Sequence, residues 1–135
     1  MFHVFLDGET TARYNGGVIS LSEFDRGYLV GLLVGEGSFG GDGKQPQVTL
    51  RMHVRHEAIF AWLAERFPRS RVYGPYHHGG RHYYQWMARG PALIEDLLPL
   101  LDVGELALLD GHAADRLAEM CDRYGLAAGT ETGSP

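Results

Sequence analysis

The chain has a single cysteine, Cys121, so no disulfide can form within it, and nothing in it has the spacing of a zinc-binding cysteine set. Long apolar runs are missing too: the longest, Leu29 to Val34, is interrupted by Gly31 and is far too short to span a bilayer. No basic stretch precedes an apolar run near the start, so no secretory signal is read and a reducing cytoplasm is the expected setting. Acids are scarce in the middle of the chain. Residues 44–89 hold eight Lys/Arg against Glu57 and Glu65, a net +6, whereas residues 1–43 and 90–135 carry −4 and −7. The overall −5 would argue against a nucleic-acid binder, but its distribution points to one basic surface on an acidic body. Five of the seven histidines (His53, His56, His77, His78, His82) fall in the same basic block. At 135 residues the chain is expected to form one main domain with a core of its own.

The most informative stretch runs from Tyr28 to Phe39. It reads as a helix that ends on an acid clamped between two glycines, with a strand starting at once. Gly27, Gly31 and Gly35 recur every fourth residue and so share one helical face, where a second backbone can approach closely. Glu36 sits at the helix C-terminus, where the helix dipole disfavours a carboxylate. Stability explains that placement poorly; a divalent cation held there explains it well. The plainer alternative is a buried helix with a glycine C-cap.

Around this stretch, residues 1–21 read as an N-terminal extension, with Phe2–Leu6 strand-like and Asn15-Gly16-Gly17 a turn, which suggests a hairpin. Ser22 and Asp25 form a capping box that opens a helix over about 22–35. A strand starts at Ser38, and a second covers Gln47 to Val54 after the loop 41–46. A helix near 57–67 stops at Pro68. Strands at 71–77 and 81–89 follow, joined at His78-Gly79-Gly80. A helix from Pro91 carries Leu93, Ile94, Leu97 and Leu98 on its apolar side, and a final helix spans about 105–124. The tail 125–135 is small and polar and reads as disordered. No internal repeat is visible.

The 28–39 segment resembles the LAGLIDADG motif of homing endonucleases, in the variant that reads roughly LAGLIDGEGSF. Leu29, Gly31, Leu32, Gly35, Glu36, Gly37, Ser38 and Phe39 stand in matching places; the first acid of the motif is Val34 here. The resemblance implies an α+β fold over 22–124 with element order αββαββα, a four-stranded antiparallel sheet forming a DNA-binding saddle, and an added C-terminal helix. It also implies a homodimer with Gly27, Gly31 and Gly35 at the interface, acting on a near-palindromic double-stranded DNA site. Metal ligands carried over are the Glu36 carboxylate and the Gly35 carbonyl. Oxygen-only ligands suit Mg²⁺. Arg89, as a basic residue near the end of the last strand, and Gln47 complete the expected catalytic set, with Arg89 as electrostatic support rather than a proton carrier.

The second strand carries its own signal. Val48, Leu50, Met52 and Val54 alternate with Gln47, Thr49, Arg51, His53 and Arg55, an apolar face backed by a row of hydrogen-bond donors without glutamate. Gln and Arg make bidentate contacts to adenine and guanine edges in the major groove. With Lys44 from the loop and Gln85 and Arg89 from the last strand, these form the expected DNA surface, with Trp86 and Ala88 turned inward. A two-residue turn at Gly79-Gly80 would put Val72 on the Gln85 face unless Gly74-Pro75 makes a bulge. Tyr73, Tyr76, Tyr83 and Tyr84 read as packing aromatics. His77, His78 and His82 lack a third ligand for zinc and read better as polar hairpin residues near phosphates. The competing function is a DNA-binding regulator of the same fold that has lost cleavage, which Val34 and the acidic flanks fit and Glu36 does not. A protein-binding module would account for the charge split but not for Gly35-Glu36-Gly37.

Overall fold

A computed structural model describes residues 3–6, 9–14 and 17–127; the tail expectation for 128–135 falls outside them. The N-terminal extension is a three-stranded meander rather than a hairpin: β1 (His3–Leu6), β2 (Glu9–Tyr14) and β3 (Gly17–Ser22) pair antiparallel in chain order. β3 joins the main core, because Ile19 and Leu21 are buried in it. Ser22 then caps α1 (Glu23–Glu36), its hydroxyl accepting from the Asp25 amide at 3.0 Å. Only half of a capping box forms, since the Asp25 carboxylate pairs with Arg66 instead.

The second sheet contains β4 (Gly37–Gly41), β5 (Pro46–His53), β6 (Arg71–His78) and β7 (Arg81–Arg89), in the antiparallel order β4-β5-β7-β6. A short 3₁₀ turn, Val54–His56, leads into α2 (Glu57–Arg66). The order over residues 23–100 is helix, two strands, helix, two strands and a helical segment, the α+β arrangement read from the sequence. Apolar positions of period two decide which face is covered: Val48, Leu50, Trp86 and Ala88 are buried beneath α1 residues Leu29, Val30 and Leu33 and α2 residues Phe60 and Leu63. Each such side chain contributes roughly 1.5–3 kcal/mol through burial. Trp86 also keeps its polar atom satisfied, donating from Nε1 to Ser70 Oγ at 2.8 Å.

The two glycines of the tip turn both have positive φ, at 56° and 80°, and His78 faces Arg81 directly, so the turn has two residues. The alternation is reset by a bulge between Tyr73 and Tyr76, where Gly74 adopts φ 106° before a cis Gly74–Pro75 bond. Val72 therefore pairs with Trp86, and Tyr73 with Gln85.

Three expectations fail locally. The segment after Pro91 is a π-helical turn, Ala92–Leu97, followed by a 3₁₀ turn, Leu98–Leu100; its wider spacing leaves Ile94 exposed while Leu93, Leu97 and Leu98 are buried. The terminal helix is two helices, α3 (Val103–Leu109) and α4 (Gly111–Tyr124), broken where Asp110 takes extended backbone and accepts from the His112 amide. Finally, the packing read for the tyrosines holds only in part: Tyr73, Tyr76 and Tyr83 do not enter the core, although Tyr76 and Tyr83 pack on each other at 5.4 Å between ring centres. All three stand on the uncovered sheet face, and only Tyr84 packs in, against Phe60 at 5.4 Å between ring centres.

Candidate nucleic-acid interface

Strand register defines the uncovered face, because directly opposed residues share a side. Gln47 faces Arg89, Thr49 faces Met87, Arg51 faces Gln85 and His53 faces Tyr83. From β4, Ser38 pairs with Thr49 and Gly40 with Gln47; from β6, Arg71 pairs with Met87, Tyr73 with Gln85 and Tyr76 with Tyr83. The expected residues Gln47, Thr49, Arg51, His53, Gln85 and Arg89 thus lie together on one surface. Within it Arg51 Nε donates to Gln85 Oε1 at 2.6 Å, and the Arg51 and Arg81 guanidinium groups flank the Tyr83 ring at 5.9 and 5.7 Å.

Arg55 does not continue the strand row. It lies in the 3₁₀ turn and folds back, its backbone amide and Nε both donating to His53 Nδ1, at 3.0 and 3.2 Å. Lys44 sits in the β4–β5 loop, beyond the end where Gln47 and Arg89 pair. There the Asp42 carboxylate accepts from the amides of Lys44 and Gln45 at 2.8 and 2.7 Å. The Gln45 and Lys44 bonds hold its pKa below the ordinary 3.8, and the Arg89 charge adds to them. Gly41 is required at this end: a Cβ would fall 2.3 Å from Tyr124 Oη and 2.5 Å from the Gln45 carbonyl oxygen.

Charges are sorted between the two sides of the sheet. β4, β5, β6 and β7 contain no acid, and the face carries Arg51, Arg71, Arg81 and Arg89. Among the described residues none of these four is ion-paired. Every arginine that touches a carboxylate lies off the face: Arg26 with Glu105, Arg66 with Asp25 and Glu65, Arg69 with Glu95 and Asp96, and Arg116 with Glu119. Sequence reading did not name Ser38, Arg71, Tyr73 or Tyr76 for this surface, because their side depends on the register of β4 and on the hairpin and bulge; Arg81, Tyr83 and Met87 alternate in step with Gln85 and Arg89 and share the face read for those two.

Glu36 is the last residue of α1 and is exposed, with no basic residue in the final helical turn and no ion-pair partner among the described residues. The chain enters β4 through Gly37, whose amide donates to the Leu33 carbonyl, and a Cβ there would meet that oxygen at 2.7 Å. This contact fixes Glu36 at the helix–strand corner, next to the outward-facing Ser38. The expected catalytic set is not gathered around it within one protomer. Gln47 and Arg89 pair with each other opposite Gly40, four residues from Glu36 and about 13 Å along the strand. Ser38 and Thr49 are nearer.

Gly27, Gly31 and Gly35 are exposed on α1 opposite its core residues Leu29, Val30 and Leu33, and a Cβ at any of the three would meet nothing within 4 Å. Phe24 shares this side at 82% exposure, and Tyr28 borders it with its ring edge-on to Trp62 at 5.0 Å.

No family model matches the chain, and no curated protein matches it. Among solved structures it is similar to the homing endonuclease I-TnaI, with 14% identity and a TM-score of 0.46 over 78% of this chain and 89% of that one. It is also similar to the homing endonuclease I-CvuI in complex with its target in the presence of 2 mM Ca, with 13% identity and a TM-score of 0.45 over 78% of this chain and 98% of that one.

Among the described residues no helix is long and apolar enough to cross a membrane, and no group of three or more His, Cys, Asp or Glu side chains is placed to hold a metal ion. The last carbonyls of α1, Gly35 among them, lack helical amide partners because the chain leaves the helix there.

Proposed function

We propose that the chain is a site-specific double-stranded DNA endonuclease acting as a homodimer on a near-palindromic site. The observation that carries this reading is the exposed, unpaired Glu36 carboxylate at the foot of an unoccupied glycine face, beside a sheet surface that bears arginine and no acid. Two copies meeting along Gly27, Gly31 and Gly35 bring two Glu36 carboxylates and two Gly35 carbonyls to a shared axis, and the two basic faces then form one continuous DNA-binding surface. Four sheet arginines per protomer make eight contacts available to the duplex, for a slope of log Kobs against log salt of up to about −7.

The donor set at the axis, carboxylate and carbonyl oxygen only, suits Mg²⁺. When bound, that ion polarises a phosphate oxygen and lowers the pKa of a water it holds. The Glu36 carboxylate and the Gly35 carbonyl would hold it, and Ser38 and Thr49 offer hydroxyls to the water network. Arg89 and Gln47 bind the backbone farther along, and Arg89 stabilises phosphate charge without carrying a proton. Gln47, Arg51 and Gln85 present hydrogen-bonding groups that distinguish base edges.

Selection on randomised duplexes with Mg²⁺ tests the reading, with Glu36→Gln run in parallel. Discrete cuts within a near-palindrome, lost in the variant while binding remains, are expected. An enriched site left uncut by both proteins would instead establish the regulator-like alternative that Val34 favours.

A further inference from the structure

Histidines gather at the hairpin end of the sheet. His77 and His82 face each other across the turn with their Nδ1 atoms 2.5 Å apart and ring centres 4.7 Å apart. The His53 ring stands 6.3 Å from that of His82, and the His78 ring lies 6.2 Å from Tyr76 and 6.3 Å from Tyr83. An open cleft of about 300 Å³ is lined by Arg51, Met52 and His53 on β5, by Gly80 of the turn and by Arg81, His82 and Tyr83 on β7, so it reaches the pair through His82. The charged and titratable groups around it are Arg51, His53, Arg55 and His56 from β5 and its following turn, Arg81, His82 and Tyr83 from β7, and Tyr76, His77 and His78 from β6. Glu57, which opens α2, is the one acid at this end.

We infer that this cleft takes a DNA backbone phosphate and that the His77–His82 pair beside it takes up one proton as the phosphate arrives; the inference rests on the duplex-binding role proposed above. Shape and donors favour an anion. Two guanidinium groups converge on the cleft, and His53 is locked as a neutral donor, since its Nδ1 accepts two bonds from Arg55 and leaves its proton on Nε2. Burial first, and then the charges of Arg55, His82 and His56, hold the His53 pKa below its ordinary 6.5.

The pair supplies the proton chemistry. At 2.5 Å one Nδ1 carries hydrogen and donates to the other's lone pair. A proton added at Nε2 of the donor ring makes that bond charge-assisted and stronger. A second proton would set two N–H groups head to head, so the pair takes one and stops. A phosphate seated in the cleft favours that proton by its opposite charge. Duplex affinity therefore rises several-fold as pH falls from ~8 to ~5.5.

The test uses the full chain and a labelled mixed-sequence duplex. Anisotropy is read from about pH 5.5 to 8 at fixed ionic strength in EDTA, which removes any metal the histidines might capture. Wild type is expected to bind several-fold tighter at the acid end. The double variant His77→Gln/His82→Gln should lose that rise, whatever its affinity at pH ~8; its melting temperature checks the fold. A pH response below twofold in wild type, or one retained in the variant, overturns the inference while leaving duplex binding intact. Absence of salt-sensitive binding at every pH would instead remove the functional reading and this inference with it. Ring-proton NMR separates phosphate sources. Shifts of His77 and His82 with duplex alone assign the site to the DNA backbone, shifts with inorganic phosphate as well assign it to phosphate from either source, and shifts with neither sink it.

Discussion

Replacing Gly31 by alanine asks whether the glycine face of α1 exists for a second copy. In an isolated protomer the new methyl would meet no atom within 4 Å, and Gly31 has ordinary helical backbone. Alanine in a helix interior is favoured over glycine by about 0.8–1 kcal/mol, so Gly27, Gly31 and Gly35 together forgo about 3 kcal/mol. Against a total stability of roughly 5–15 kcal/mol that is a large concession for residues that touch nothing. If two α1 helices cross at Gly31, symmetry places two added methyls in the contact and forces the axes apart. Overpacking of that kind costs about 1–3 kcal/mol, or roughly ten- to a hundredfold in dimer dissociation constant. Sedimentation equilibrium reads the association, and urea denaturation across a wide range of protein concentration reads protomer stability. Gly31→Ala should dissociate at higher concentration than wild type yet be about 1 kcal/mol more stable once monomeric, with a melting point up by about 4 °C. Gly31→Leu should abolish the dimer and keep the fold. The reasoning fails if wild type stays monomeric at high concentration and Gly31→Ala is more stable at every dilution.

Two further outcomes follow from individual contacts. Asp96 is fully buried and held by Arg69 through bonds of 3.0 and 2.7 Å, so Arg69→Met strands a buried carboxylate and should lower stability by about 3–5 kcal/mol in urea titrations. Arg69→Met combined with Asp96→Leu should recover most of it, and a single-variant loss below 1 kcal/mol would contradict the pairing. At the β4–β5 loop, the folded pKa of Asp42 lies below its ordinary 3.8. Its stabilising bonds are therefore complete above pH 3.8 and lost as pH falls through the lower folded value. The Lys44 and Gln45 amide resonances should move through that acid window in wild type and show no such transition in Asp42→Asn.

Legibility in the sequence followed the range of the forces involved. Ser22 capping, the turn from Glu36 into Gly37 and the apolar alternation of β5 are set within a few residues, and each could be read directly. The bulge at Gly74-Pro75 was legible as one of two ways to reconcile the faces of β6 and β7, but the choice needed the observed turn. What escaped depended on partners far away in sequence. Asp110 breaks the terminal helix because it caps α4, a role that an acid followed by glycine signals only weakly. Ile94 is exposed because a π-helical turn changes which residues align, and helical periodicity presumes 3.6 residues per turn. The tyrosines of β6 and β7 were assigned to packing on residue type, whereas register puts three of four outside. Gln47 and Arg89 were grouped with Glu36 by analogy, and strand spacing separates them.

Charge placement gives the strongest reason to connect the sheet with a polyanion. Surface ion pairs add little stability, about 0–1 kcal/mol each, so no folding demand forces an arginine to find a partner or to avoid one. Yet Arg26, Arg66, Arg69 and Arg116 have carboxylates, and among the described residues the four on the open sheet do not, in a chain with more acids than bases. Strands free of acid on a protein of net −5 concentrate positive potential where the backbone is rigid and side chains point one way. Like charges spaced along neighbouring strands repel, and among the described residues only Asp42, near Arg89 at one end, offsets any of it. Glu36 and the glycines of α1 are likewise unexplained by the isolated chain. A second copy along α1 and a duplex across both sheets would satisfy all three features in one arrangement, with the two carboxylates at its centre and the arginines on either side.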